Sequence, residues 1–142
     1  MTREQMDQLM ETHLAAEDAD DIEAAVAVYT EDVEHDVVGA PDGLLFGPEA
    51  ARHRYEQLTQ NVRTVSMETA HRYYSDDAAV IEHLCTCAIT GQFAGVEGHG
   101  RQVSFRMLHI FEFRDGKISR ENVWMDTTTL MAQLTAPAAA AH

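Results

Sequence analysis

The stretch Gly98-His99-Gly100-Arg101-Gln102-Val103-Ser104-Phe105-Arg106-Met107-Leu108-His109-Ile110-Phe111-Glu112-Phe113-Arg114-Asp115-Gly116-Lys117-Ile118 decides the fold. It reads as a long strand, a tight Asp115-Gly116 turn and the start of a second strand. Phe105, Met107, His109, Phe111 and Phe113 alternate with Ser104, Arg106, Leu108, Ile110 and Glu112. Successive side chains of a strand point to opposite faces, so His109 shares the apolar face of Phe105, Met107 and Phe111. An ionisable group on a core-facing strand needs a partner or a chemical task.

Which residue partners His109 depends on the turn. A two-residue Asp115-Gly116 hairpin sets His109 opposite Asn122 and Met107 opposite Trp124. A three-residue loop with a glycine bulge sets His109 opposite Glu121 and Met107 opposite Val123. The difference of one residue turns every later side chain to the other face. In the first register Trp124 and Asp126 point inward, although Asp126 also suits a helix cap before Thr127.

Working outward, Arg3 to Ala16 has helical spacing, with Met6, Leu9, Met10, His13 and Leu14 on one side. Asp18-Ala19-Asp20-Asp21 breaks it and opens a second helix that runs through Tyr29 to Glu31-Asp32. Val33 to Val38 is a short strand. Gly47-Pro48-Glu49 starts a third helix, with Ala50, Tyr55 and Leu58 as inward candidates. Strands follow at 63–74, 79–90 and from Lys117 to about Asp126, and 127–134 is a short terminal helix. Helices followed by a run of antiparallel strands predict an α+β fold, a curved sheet wrapped against N-terminal helices. Residues 1–134 form one domain and 135–142 a tail.

The chain has 142 residues, 24 of them acidic against 10 basic, for a formal charge of −14. Such a surface repels phosphate backbones and anionic lipid, which argues against nucleic acid and membranes as partners. No apolar run approaches the roughly 18 residues of a membrane span. The polar N-terminus does not read as a signal peptide, so a soluble cytoplasmic protein is expected. Cys85 and Cys87, two apart on a strand, read as small buried hydrophobes; a disulfide between them is strained.

The run Gly95-Val96-Glu97-Gly98-His99-Gly100-Arg101-Gln102-Val103, with the strand ending in Asp115-Gly116-Lys117-Ile118, resembles the SnoaL-like branch of the NTF2-like superfamily. Asp20-Asp21-Ile22, Tyr29-Thr30-Glu31-Asp32-Val33, His35-Asp36 and Gly47-Pro48-Glu49-Ala50 extend the likeness over nearly the whole chain. The resemblance implies a cone-shaped α+β barrel with a pocket between sheet and helices, and a homodimer formed through the outer face of the sheet. The superfamily spans polyketide cyclases, ketosteroid isomerases, epoxide hydrolases, dehydratases and non-catalytic members, so the pocket must decide function.

The resemblance places His109 where ketosteroid isomerases carry a pocket aspartate. It favours the register pairing His109 with Glu121, an acid–base dyad in which the carboxylate raises the imidazole pKa. Asp36 resembles the isomerases' general base. One of His35 and Asp36 faces the pocket, with Asp36 favoured. His13 lies near the place of their oxyanion-donating tyrosine. One departure is Val123, where SnoaL-type cyclases commonly carry an aspartate. Tyr29, Tyr55, Phe105, Met107, Phe111, Val123 and Trp124 are the expected substrate contacts. Histidines and carboxylates on an apolar ground, with no zinc signature or nucleotide loop, point to cofactor-free and metal-free acid–base chemistry. The expected reaction is isomerisation, cyclisation, dehydration or hydrolysis of a hydrophobic carbonyl or epoxide compound. The alternative is a non-catalytic binding or dimerisation module.

Overall fold

A computed structural model of the chain describes residues 1–137. Of the expected tail, 138–142 lie outside the described residues. The elements run α1 (Arg3–Asp18), α2 (Ile22–Ala27), β1 (Tyr29–Val37), β2 (Leu44–Phe46), α3 (Pro48–Asn61), β3 (Val62–Tyr74), β4 (Ala78–Ile89), β5 (Gln92–Phe93), β6 (Val96–Glu97), β7 (Arg101–Arg114), β8 (Lys117–Met125) and α4 (Thr127–Leu134). Six strands form one sheet in the order β2-β1-β8-β7-β4-β3, and β5 pairs with β6. This is the expected α+β architecture.

Local chemistry sets the helices. Thr2 and Gln5 make a reciprocal capping box at the start of α1, with Thr2 Oγ1 3.1 Å from the Gln5 amide. Its buried stripe is Met6, Met10, His13 and Ala16, so His13 is the one polar residue on an apolar face. Asp21 caps α2 and Asp126 caps α4 through backbone amides three residues on. In α3 the buried residues are Ala51 and Tyr55; the expected Leu58 is exposed.

Two expectations about strands fail. The second helix stops at Ala27, and Tyr29–Asp32 belongs to β1. The sheet also claims these residues from afar, for β1 runs parallel to β8 with Tyr29 beside Ile118. The sheet is therefore mixed rather than wholly antiparallel.

The β7–β8 connection is a two-residue hairpin. Asp115 (φ 54°) and Gly116 (φ 74°) both occupy the left-handed region, and Arg114 pairs with Lys117. Phe113 then pairs with Ile118 but Glu112 with Arg120, leaving Ser119 as a bulge. The extra residue changes the phase of β8. His109 ends opposite Val123 and Glu121 opposite Phe111, so neither expected pairing forms. Glu121 nevertheless faces inward, one diagonal step from His109, because the bulge restores the parity that the tight turn removes.

The interior divides in two. One apolar cluster joins Met6, Met10, Val33, Ile81, Phe111 and Ile118. The other joins Cys85, Cys87, Val103, Phe105, Leu130 and Leu134. Both cysteines are free and buried. Between the clusters runs a diagonal row of buried polar side chains on four neighbouring strands: His35, Glu121, His109 and His83.

Candidate active site

Glu121, 1% exposed, is the hub of this row. The hydroxyls of Tyr29 and Tyr55 both donate to its Oε2, Tyr55 from 2.9 Å. His35 Nε2 lies 3.2 Å from Oε2, and His13 Nε2 lies 3.2 Å from Oε1. Burial favours the neutral acid, but the His13 charge and the hydrogen bonds from His13 and His35 hold Glu121 well below the usual carboxylate range.

The protons on the imidazoles follow from their other contacts. His13 Nδ1 donates to the Ala25 carbonyl at 2.8 Å while Nε2 faces Glu121, so both nitrogens donate and the ring is cationic. Burial lowers its pKa, but the charges of Glu121 and Glu17 and these hydrogen bonds lift it to about 9. Arg54 donates to His35 Nδ1 at 3.0 Å. Arginine has no lone pair to offer, so Nδ1 accepts and the proton of neutral His35 sits on Nε2, aimed at Glu121. Burial and the Glu121 charge push both tyrosines well above their ordinary range and keep them as donors.

His109 differs. Its Nε2 is 3.7 Å from Glu121 Oε1, too long for a direct hydrogen bond. Its ring stacks on Phe111, with centroids 5.5 Å apart, and Nδ1 has no partner. Burial lowers its pKa to about 3 against the opposing pull of Glu121, with the His13 charge adding to the fall. The expected direction was upward; desolvation reverses it, and His109 is neutral. With Glu121 on one side, the proton is favoured on Nε2 and the lone pair on Nδ1.

Asp36 does not enter the interior. Its Oδ2 accepts from Asn122 Nδ2 at 3.2 Å on the outer face, and also meets Arg120. An irregularity between Tyr29 and Glu34 sets the phase of β1, which turns His35 inward instead. Trp124 is also on the outer face, 50% exposed, and donates from Nε1 to Asn122. Phe111 is sealed in the first apolar cluster rather than lining an opening. Val123 and Phe105 are buried, and inward-facing Met107 is only partly so. Tyr29 and Tyr55 commit their hydroxyls to Glu121, each other and His13.

Three residues escaped the sequence reading. Glu17 lies one helical turn from His13, its Oε2 3.5 Å from Nε2, and that i,i+4 spacing was available as a signal. Burial raises its pKa to about 7 against the pull of His13, with Glu121 adding to the rise. His83 sits two residues from Ile81 and Cys85 on the inward face of β4, a placement the alternation also carried. Arg54 acts only through His35 and had no local signal.

Ligand atoms of His13, Glu17 and Glu121 lie within 4.8 Å of one another, close enough for three cation ligands. The proton on His13 already offsets one carboxylate charge of this cluster, and a metal would have to displace it. A surface hollow of about 600 Å³ beside Gln5, Gln8, Asp76 and Arg114 shares no residue with the cluster.

Comparison with known proteins accords with this geometry. TsrD from Streptomyces laurentii superimposes with a TM-score of 0.82 at 25% identity, over 96% of this chain and 99% of its own. A candidate polyketide cyclase of Xanthomonas campestris gives 0.81 at 20% identity, over 94% and 98%. An epoxide hydrolase of the LEH-like type from M. tuberculosis gives 0.70 at 17% identity, over 89% and 86%. The search of curated proteins found no match. The family profile of SnoaL-like polyketide cyclases matches residues 5–134. The chain belongs to the SnoaL-like polyketide cyclase family.

Proposed function

We propose that the chain is a cofactor-free acid–base enzyme that moves a proton at a carbon beside the carbonyl of a hydrophobic small molecule, as in isomerisation or aldol-type cyclisation. The observation that carries this reading is neutral His109, with Glu121 behind Nε2 and an unpartnered Nδ1. Nδ1 takes the proton from carbon. The ionised carboxylate then stabilises the new imidazolium, and the same nitrogen returns the proton to another atom of the substrate. Glu121 serves as a fixed negative charge rather than as the base, because four donors already surround it. Epoxide hydrolysis fits less well, since Arg54, the arginine hydrogen-bonded to the cluster among the described residues, spends its donors on His35, Asp42 and the Gly43 carbonyl.

A non-catalytic binding module is the second reading. It is favoured by the same four donors, which are engaged with Glu121 and not offered to a ligand. Deuterium exchange separates the two. In D₂O the protein should catalyse exchange at the carbon beside the carbonyl of hydrophobic ketones. His109→Ala and Glu121→Gln should each lower the rate by about 10²- to 10⁴-fold. Unchanged rates in both variants, or no exchange by the wild type over a broad ketone panel, leave the binding module.

The homodimer is likewise proposed. It is supported by Leu84 and Trp124, both exposed on the outer face of the sheet.

A further inference from the structure

His83 is 2% exposed, and neither of its ring nitrogens has a hydrogen-bond partner. His109 Nδ1 is in the same position. The two rings meet edge to face with centroids 4.8 Å apart, so three orphaned nitrogens share one spot in the interior. Buried polar atoms are nearly always satisfied, and three together mark a place where something polar is missing. No hydrogen bond reaches the His83 ring: it is flanked on its own face by Ile81 and Cys85 and pairs across the sheet with Met107 on one side and Thr69 on the other.

The geometry points to His83 and His109 as a buried subsite for the neutral oxygen functions, a hydroxyl beside a carbonyl, of an otherwise apolar ligand lying along Met107 and Met125. This rests on the reading that the interior binds a small molecule, but not on any catalytic step. The chemistry selects the ligand class. A hydroxyl donor suits His109 Nδ1, the lone pair that otherwise takes a proton from carbon, so a ligand held in this way blocks that step. His83 offers one N–H and one lone pair, and its N–H suits a carbonyl. Burial, with the Arg72 charge adding, lowers the pKa of His83, so no cation stands ready for a carboxylate or phosphate.

The apolar part would lie along two side chains of the same strands, both packed against the second apolar cluster. Met107 pairs with His83 on one side and Met125 on the other, and both methionines are only partly buried although they face inward. The orphaned nitrogens are closed off from water, so a ligand must displace this wall. Unbranched methionines are the side chains best able to yield.

The test uses 2-(hydroxyacetyl)naphthalene, which carries the hydroxyl beside the carbonyl, and 2-acetylnaphthalene, which lacks the hydroxyl. By titration calorimetry the wild type should bind the first at least tenfold more tightly. His83→Phe should abolish that preference while still binding the second. His83→Phe also changes the packing of the wall, so the wild type provides a second measurement: nitrogen-15 resonances of His83 and His109 should shift with 2-(hydroxyacetyl)naphthalene and stay in place with its deoxy analogue. Equal binding of the two probes, no binding of either, or a preference that survives in a folded His83→Phe protein overturns the proposal. Should the preference appear while His109→Ala and Glu121→Gln leave ketone exchange unchanged, the catalytic reading falls and the subsite stands.

Discussion

Glu121 is a buried carboxylate surrounded by protons, and its environment makes stability depend on pH from both sides. His13 has its pKa raised from about 6.5 to about 9, so its contribution is complete below 6.5 and is lost as pH rises through 9. Glu17, raised to about 7, is lost in the same direction. His109 is lowered to about 3, so its contribution is complete above 6.5 and is lost as pH falls toward 3; Glu121, also held low, is lost with it in acid. Between about pH 4.5 and 6.5 the Glu17 loss offsets the His109 gain, so urea unfolding should give a stability plateau there and less stability at about pH 3 and 9.5, and His109→Phe should flatten the acid side. At this scale the sequence was partly legible. The apolar alternation around His109 and the stripe around His13 announced buried histidines. The protonation state did not follow, because it rests on Ala25, Arg54 and Glu17, contacts that only the folded chain makes.

Among the elements, α1 and β7 were readable because their patterns are local: a capped apolar stripe and a strict alternation. β1 and β8 were not. The phase of β8 depends on Ser119, and the bulge there accompanies long-range contacts, including the Ile118 amide donating to the Val28 carbonyl at 2.8 Å. The irregularity in β1 likewise decided His35 over Asp36. The tight turn that starts β8 requires left-handed backbone at two successive residues. Gly116→Ala should therefore destabilise the protein by about 1–2 kcal/mol in denaturant unfolding. It should leave the Glu121 cluster, and with it ketone exchange, intact in the folded fraction.

Over the whole molecule, the cone separates two apolar clusters by a polar row that no single segment of sequence contains. The family resemblance made the cone legible; the row required the register of four strands. The proposed homodimer would bury the outer face, where Leu84 and Trp124 are exposed. Trp124→Glu places a charge in it and should convert a dimer to a monomer in light scattering, while a wild type that is already monomeric at micromolar concentration removes that proposal. The interior organisation is tested most directly by nitrogen-15 resonances of the histidine rings across a pH series. His13 should keep both ring protons up to about pH 9, and His109 should stay neutral from pH 8 down to 5 with its proton on Nε2 and Nδ1 bare. A His109 that titrates near its ordinary pH 6.5, or that carries its proton on Nδ1, contradicts a neutral base held against an ionised Glu121.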